Sequence, residues 1–127
     1  MNEIALPIGQ AAELRARLTH DGSALVVKLS GTADLRVTDS VEAILTRVHQ
    51  KALELAIPAV LVDLRELEFM NSSCFKSFVS WISEVSDLAA GQYRIRFLSN
   101  PSILWQRRSL HALSCFAAEL VTIEAGN

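Results

Sequence analysis

Two adjacent serines, Ser72 and Ser73, are the residues whose type and position best suit regulated chemistry. They follow an apolar run at 59–64 that has the length and β-branched content of a buried strand, and they precede apolar residues at helical spacing. Asn71 and both serines are favoured as helix N-caps, which predicts that the pair stands at the start of a helix. Free backbone N–H groups and the helix dipole favour added negative charge there. A phosphate on either serine would therefore be tolerated by the fold and recognised by a partner.

A second candidate for chemistry is Cys74, directly after the serines. A thiol near a helix start can have a lowered pKa and act as a nucleophile, so one hypothesis is an enzyme that uses this thiolate. An inert, part-buried cysteine is the simpler interpretation, because no histidine stands beside it in the sequence. Glycine-rich phosphate loops and a Ser-His-Asp order are also missing from the sequence, so we expect no enzyme and no cofactor.

Neither the histidines nor the acidic residues show a pattern typical of a metal site. His20, His49 and His111 lack metal-ligand spacing, and we interpret them as turn, helix-surface and loop residues. Asp34 and Asp63 could form an acidic pair, but the first more simply shapes its loop and the second satisfies backbone donors at a strand end. We therefore expect no metal.

The composition is that of one globular domain, since the 127 residues are 50% hydrophobic and 20% charged. The formal net charge of −2 gives no global attraction to nucleic acid or to an anionic membrane. No apolar run approaches the roughly 20 residues needed to span a bilayer, and the first residues lack the basic region of a secretory signal. We expect a cytoplasmic protein with no nucleic-acid partner and no membrane insertion.

The elements that position the serines follow from hydrophobic periodicity. Residues 1–11 are predicted to form a loosely held arm, and residues 12–127 the domain. Alternating apolar residues predict two strands at 14–18 and 25–29, joined as a hairpin by a turn signal at 20–23.

The next segments predict alternating helices and strands. Residues 31–34 are expected to form a loop, after which Asp39 caps the first helix, with Glu42 completing a capping box. A strand at 59–64 leads to the serine-headed helix over 73–88, which is expected to end near 90–91 because glycine suits the position after a helix.

The last third of the chain predicts two strands around a third helix. Residues 93–97 alternate as a strand, Asn100 and Pro101 are expected to open a helix through Leu110, and a final strand lies near 120–123. The predicted order is β-β-α-β-α-β-α-β. The fold class is therefore α/β, with a mixed, mostly parallel sheet.

Two segments in this order resemble the STAS family, the domain shared by anti-sigma-factor antagonists and the cytosolic tails of sulphate transporters. Residues 31–34 read Gly-Thr-Ala-Asp, and residues 69–74 read Phe-Met-Asn-Ser-Ser-Cys. The family typically shows Gly-x-Leu-Asp and Phe-Met/Ile-Asp-Ser-Ser-Gly at these places. The resemblance covers residues 12–125, nearly the whole chain.

The resemblance implies a regulatory protein–protein interaction module in bacterial signal transduction and transcription regulation. Its phospho-acceptor maps to Ser73, with Ser72 as the second choice. The implied partner is a serine-kinase-type anti-sigma factor, released by phosphorylation, and a cognate phosphatase restores the complex. The expected partner-binding residues lie in the segment after the second strand and at the start of the serine-headed helix: Thr32, Ala33, Asp34, Arg36, Asn71, Ser72, Ser73, Cys74 and Lys76.

The sequence departs from the family pattern at three positions. Asn71 keeps the capping ability but lacks the family's carboxylate, and Ala33 replaces leucine in the first motif. Cys74 replaces a glycine that allows close approach of another backbone or a nucleotide phosphate, so we expect the cysteine side chain to obstruct that approach. The alternative hypothesis is therefore a non-phosphorylated module of the same fold, acting as a subunit of a sensory assembly or as an accessory protein of a transporter.

Four further side chains could contribute to binding. Arg107 and Arg108 could receive a phosphate or a partner's carboxylate, although a solvated helix face is the simpler interpretation. Trp81 and Trp105 lie off the main apolar stripes of their helices, so one of them could be an exposed anchor for a partner. Partial packing against the core is the commoner outcome for such a residue. The exposure of these side chains decides between the interpretations.

Overall fold

The computed structural model describes residues 2–4 and 13–126. Within these residues one six-stranded sheet packs with three α-helices. The strands are β1 (Asn2–Ile4), β2 (Leu14–Asp21), β3 (Ala24–Ala33), β4 (Ala59–Met70), β5 (Arg94–Ser99) and β6 (Val121–Ala125). The helices are α1 (Thr38–Glu54), α2 (Ser72–Ser86) and α3 (Leu104–Phe116), and a 3₁₀ turn (Leu35–Val37) precedes α1.

The strands follow chain order across the sheet, from β1 to β6. The pairs β1–β2 and β2–β3 are antiparallel, whereas β3, β4, β5 and β6 pair in parallel. Burial alternates along β3, where Leu25, Val27 and Leu29 are buried and the residues between them are partly exposed. The helices therefore cover one face of the sheet and leave the other partly open. The predicted α/β class with a mixed, mostly parallel sheet is confirmed.

The predicted hairpin is confirmed, but the predicted loop at 31–34 is wrong for residues 31–33. β3 continues through Ala33 because its pairing with β4 runs on to Met70, and Gly31, with φ +92°, accommodates the register shift beside it. The Thr32 N–H donates to the Glu13 carbonyl oxygen at 2.8 Å. This glycine bulge bends the end of β3 without ending its pairing.

The predicted capping box of α1 is also wrong. α1 begins at Thr38, directly after the 3₁₀ turn, and its N-cap Val37 makes no side-chain capping bond. Asp34 instead closes the 3₁₀ turn, because its carboxylate accepts from the Arg36 N–H at 2.9 Å. Asp39 lies in the first helical turn, where a carboxylate interacts favourably with the helix dipole.

β4 and α2 differ from their predicted lengths. β4 extends to Met70, six residues beyond the predicted end at residue 64, and leads directly into the serine-headed helix. α2 ends at Ser86 rather than near 90–91. The Gln92 side-chain amide donates to the Ser86 carbonyl at 2.9 Å, which satisfies one of the carbonyls left free at the helix end.

α3 begins later and ends later than predicted. The Asn100 side chain accepts from the Ser102 N–H at 2.9 Å, so it caps a turn rather than the helix. The N-cap is Ile103, which makes no side-chain capping bond, and the helix then runs to Phe116. The interpretation of His111 as a loop residue is therefore wrong, because His111 lies within α3.

The predicted arm is described only in part. Its residues 2–4 form β1, which pairs with β2 from Asn2 opposite His20 to Ile4 opposite Leu18. Residue 1 and residues 5–11 of that arm lie outside the described residues. In the described part of the chain, no helix is both long enough and apolar enough to cross a membrane.

Aromatic side chains fill the core between α2 and the sheet. The ring centroids of Phe78 and Phe97 lie 5.9 Å apart. Trp81 is buried, and its Nε1–H donates to the Tyr93 hydroxyl at 2.8 Å. That hydroxyl lies 2.7 Å from Nδ1 of His49, which joins α1 to the same network. Trp81 is therefore a core residue and not an exposed partner anchor.

Candidate functional site

The two segments singled out in the sequence meet at one edge of the sheet. β3 and β4 are parallel neighbours, and Ala33 pairs with Met70 at their ends. The Asn71 N–H donates to the Ala33 carbonyl oxygen at 2.7 Å. The carboxyl ends of these adjacent parallel strands therefore place the 3₁₀ turn beside the start of α2.

The serine pair stands at the start of α2. Asn71 is the N-cap, with extended φ/ψ, and its side-chain oxygen accepts from the Ser73 N–H at 2.8 Å. The Asn71 carbonyl accepts from the Phe75 N–H at 3.0 Å and begins the helical bonding. Ser72 is exposed and Ser73 is half-buried, so both are available at the surface. The prediction of a serine-headed helix capped by a polar side chain is confirmed.

Cys74 lies beneath this surface. Its side chain is fully buried, and its Sγ lies 3.6 Å from the Asp34 carbonyl oxygen and 3.7 Å from Oγ1 of Thr38. Burial raises the pKa of the thiol, which opposes the thiolate needed for nucleophilic chemistry. The structure therefore counts against the cysteine-nucleophile hypothesis. The expectation that this side chain obstructs the approach of a partner is wrong, because the side chain faces inward.

The end of β3 and the 3₁₀ turn after it contribute a charged pair, Asp34 and Arg36. Arg36 donates from Nη2 to Oδ2 of Asp34 at 2.7 Å, and this hydrogen bond lowers the pKa of Asp34. The Arg36 side chain remains largely exposed. Thr32 is half-buried in β3, and the Ala33 side chain is buried, so Ala33 supports the edge through its backbone.

A groove of about 320 Å³ runs from Ser73 between α1 and α2. Lys76 lies in it, three residues after Ser73 and therefore on the same side of the helix. Glu42 and Glu84 contribute carboxylates to the groove walls. The sequence indicates Lys76, but it does not reveal that Glu42 faces the same groove, because that contact depends on how α1 packs on α2.

Two exposed apolar residues flank this edge and were missed by the sequence analysis. Leu35 is 66% exposed in the 3₁₀ turn, and Phe69 is 46% exposed near the end of β4, where it pairs with Thr32. Exposed apolar residues beside polar surface groups are typical of protein-binding surfaces. The signal for them in the sequence is an apolar residue within two positions of a turn or cap residue, since Leu35 follows Asp34 and Phe69 precedes Asn71 by two residues.

The possible acidic pair is not formed as a unit, because each carboxylate has its own arginine. Asp34 binds Arg36, and Asp63 is held by Arg65 through two side-chain hydrogen bonds of 3.0 and 2.9 Å. Burial acts to raise the pKa of Asp63, but the Arg65 hydrogen bonds outweigh it and the net shift is downward. Among the described residues, no group of three or more His, Cys, Asp and Glu side chains is arranged to hold a metal ion.

The fold matches solved structures of known proteins. An anti-sigma factor antagonist from Mycobacterium paratuberculosis aligns over 92% of this chain and 90% of its own, with a TM-score of 0.66 and 15% identity. The anti-sigma factor antagonist SpoIIAA in its unphosphorylated form covers 86% of this chain and 87% of its own, with a TM-score of 0.57 and 17% identity. The Bacillus cell fate determinant SpoIIAA in the phosphorylated form covers 86% of this chain and 90% of its own, with a TM-score of 0.57 and 19% identity.

No protein-family model and no curated protein sequence matches the chain. The structural similarities show that the chain has the fold of anti-sigma factor antagonists, and they confirm the resemblance to STAS domains at the level of the fold.

Proposed function

We propose that this chain is a regulatory protein-binding module of the anti-sigma-factor-antagonist type, switched by phosphorylation of Ser73. Its partner is a serine-kinase-type anti-sigma factor, and a cognate phosphatase reverses the modification. The observation that carries the proposal is the position of Ser73 at the capped start of α2, beside the 3₁₀ turn on the same sheet edge. The fold similarity to anti-sigma factor antagonists supports the general role.

The proposed contact surface has the 3₁₀ turn on one side and the start of α2 on the other. Thr32, Asp34 and Arg36 supply polar and charged groups from the first side, and Asn71, Ser72, Ser73 and Lys76 supply them from the second. Ala33 and Cys74 are buried and support the surface from below. Leu35 and Phe69 add apolar area to an otherwise polar surface, a combination common in interfaces that form and dissociate.

The neutral cap, Lys76 and the helix start favour a phosphate on Ser73 within this molecule, whereas a packed partner disfavours it. Asn71 is neutral where the family pattern has an aspartate, so no cap carboxylate repels the phosphate. Lys76 and the start of the helix provide positive charge beside Ser73. A packed partner would have to desolvate a group carrying about −1.5 to −2 charges, which opposes association.

Phosphorylation tests the switch directly. The purified chain is incubated with Mg-ATP and each serine kinase found among the neighbouring genes, and intact mass is measured. We expect a mass gain of one phosphoryl group that is lost in Ser73→Ala and kept in the matched variant Ser72→Ala. Modification that survives Ser73→Ala would contradict the assignment. No modification by any neighbouring kinase would favour the alternative of a non-phosphorylated module in a sensory assembly or beside a transporter.

Partner binding tests the surface independently of the kinase reaction. Ser73→Asp places a carboxylate at the centre of the surface, and we expect it to weaken binding to the same partner by about 1–3 kcal/mol. Isothermal titration calorimetry measures the change, with Ser86→Asp at the far end of α2 as the control. Equal affinities for the wild type and Ser73→Asp would exclude Ser73 from the interface.

A further inference from the structure

The start of α3 presents an apolar and basic surface that the proposed function does not use. We call it the α3 patch, and it consists of Leu104, Trp105, Arg107 and Arg108. Leu104 is 79% exposed, more than any other large hydrophobic side chain in the described residues. Both arginines are exposed and lie three and four residues after Leu104, so they share its side of the helix. Together with Ser109 these residues line a surface depression of about 550 Å³.

The α3 patch rests on a well-ordered base. Trp105 is half-buried against the core, and its Nε1–H donates to the Leu67 carbonyl at 3.2 Å. Gln106 is fully buried, and its amide donates to the Leu64 carbonyl at 2.6 Å and to the Leu67 carbonyl at 3.1 Å. These bonds tie the first turn of α3 to β4. The patch is therefore an exposed surface on a fixed support and not a frayed helix end.

The charges of the α3 patch are placed against the helix dipole. Arg107 and Arg108 lie near the positive end of α3, where cations are unfavourable, and the first turn contains no acidic residue. In the described part of the chain neither arginine forms a salt bridge. Local choices that oppose the stability of an element are expected at functional sites. Carboxylates from outside the chain would relieve the repulsion and pair with the two guanidinium groups.

We propose that the α3 patch binds an acidic segment of a protein partner that carries a large apolar side chain. The apolar side chain covers Leu104 and the exposed edge of Trp105, and neighbouring carboxylates pair with Arg107 and Arg108. Two arginines and one exposed leucine are a small footprint for a membrane surface, which is usually recognised by clusters of four to eight basic residues. A peptide segment matches the size and the charge of the patch.

This proposal does not depend on phosphorylation, because the α3 patch shares no residue with the proposed Ser73 surface. The two surfaces nevertheless face the same edge of the sheet, since α2 follows β4 and α3 follows the parallel neighbour β5. One partner large enough to span both helix starts could therefore contact both. The experiment uses peptides without any kinase, so that its failure and the failure of the Ser73 proposal are distinguishable.

The test is a titration of the ¹⁵N-labelled full chain with a synthetic peptide of sequence Asp-Glu-Leu-Asp-Glu-Phe-Asp, followed by amide chemical shifts. We expect saturable shifts concentrated at the start of α3. Two control peptides separate the contributions: one has serine in place of leucine and phenylalanine, and the other has amides in place of all carboxylates. Both are expected to bind more weakly than the parent peptide. Equal binding of either control would overturn the combined apolar and acidic recognition.

Matched variants identify the residues. Arg107→Ser with Arg108→Ser is expected to weaken binding about tenfold, the sum of two exposed ion pairs. The control Arg15→Ser with Arg94→Ser removes the same charge from exposed positions on the sheet and should leave affinity unchanged. Leu104→Ser should weaken binding while both arginines remain. Equal loss in the control pair would reduce the effect to net charge and overturn the proposal.

Vesicles provide the last arm of the test. The full chain is sedimented with phosphatidylcholine vesicles containing phosphatidylserine. We expect no sedimentation that depends on Arg107 and Arg108. Vesicle binding that is lost in the double arginine variant, together with no shifts from the acidic peptide, would replace the protein segment by a membrane surface.

Discussion

The starts of α2 and α3 occupy equivalent places in the fold and are stabilised in opposite ways. Each follows a parallel strand, β4 for α2 and β5 for α3, and each faces the same edge of the sheet. The first turn of α2 is closed by the Asn71 side chain. The N-cap of α3 makes no side-chain bond, and α3 is instead tied down from within by Gln106 and Trp105.

Because the two helix starts are stabilised differently, they leave different groups available for binding. At α2 the capping bond lies at the surface, so the group that stabilises the helix is also part of the proposed contact surface. At α3 the stabilising hydrogen bonds point inward to the carbonyls of Leu64 and Leu67. The outer surface is therefore not needed for capping, and it carries Arg107 and Arg108, whose positive charges are unfavourable near a helix N-terminus. The proposed binding at α2 therefore includes the cap, whereas the proposed binding at α3 does not involve one.

The largest loss of stability is expected from a substitution at Gly31, which lies in the strand that supports the start of α2. A Cβ at this position would lie well inside contact distance of the Glu13 carbonyl oxygen, and its φ of +92° is unfavourable for alanine. We expect Gly31→Ala to lower the free energy of unfolding by about 3 kcal/mol in urea denaturation. Amide exchange should accelerate more at residues 71–75 than at residues 104–108, because β3 ends beside α2.

The control for that variant is Gly22→Ala in the hairpin turn. Gly22 also has positive φ, at +62°, but a Cβ there meets no atom within 4 Å. We expect Gly22→Ala to lower the free energy of unfolding by about 1 kcal/mol, because alanine is unfavourable at positive φ even where its Cβ meets no other atom. Equal destabilisation by the two variants would show that the close approach to Glu13 does not matter.

The support of the α3 start is tested by Gln106→Leu. This change leaves the Asn100 N–H and the Leu64 carbonyl without the partner that they have in the wild type. We expect a loss of about 2 kcal/mol in the free energy of unfolding, the cost of burying unsatisfied backbone groups. The matched variant Gln50→Leu, on the exposed side of α1, should lie within about 0.5 kcal/mol of the wild type. If amide exchange at the start of α2 accelerated as much as that at α3, the two regions would not be separately supported.

A smaller effect is expected from Asn71→Ala, which removes the surface cap of α2. The Ser73 N–H loses its acceptor, and we expect a cost of about 1 kcal/mol. Asn71→Asp keeps an acceptor and should restore the stability, and Ser72→Ala should be close to neutral. Thermal unfolding followed by circular dichroism measures all three variants. A neutral Asn71→Ala would mean that the α2 start, like the α3 start, is held from within.

Much of the fold could be predicted because the spacing of apolar residues along the sequence identifies each helix or strand that buries one face. The alternation of Leu25, Val27 and Leu29 identifies a strand whichever neighbour it meets. The errors fall where tertiary contacts decide the boundary. Gly31 suggests a loop, but the carbonyl of Glu13 and the pairing with β4 keep it in the sheet. Asn100 suggests a helix cap, but its side chain closes a turn three residues too early.

In the candidate sites, too, features set by adjacent residues could be predicted and features set by tertiary contacts could not. The start of α2 could be predicted because its cap, Asn71, and its hydroxyls are adjacent in the sequence. The inward position of Cys74 could not be predicted, because it depends on how α2 meets the Asp34 carbonyl across 40 residues of chain. The α3 patch was visible only as two arginines and a tryptophan. Its distinguishing feature, the exposure of Leu104 beside a missing cap, appears only after the helix start is placed at residue 104.

The smallest change in stability is expected from Arg107→Glu, which should stabilise the protein rather than destabilise it. This variant therefore distinguishes an effect on stability from an effect on binding at α3. Arg107→Glu replaces a cation at the positive end of the helix by an anion, so we expect the free energy of unfolding to rise by about 0.5 kcal/mol. The same change should abolish the shifts caused by the acidic peptide, because the new carboxylate repels it. Arg94→Glu, on β5, is the control for the change in net charge, and it should leave peptide binding intact. A more stable protein that no longer binds would mean that the arginine is retained at α3 for recognition, whereas a loss of stability would mean that it supports the fold.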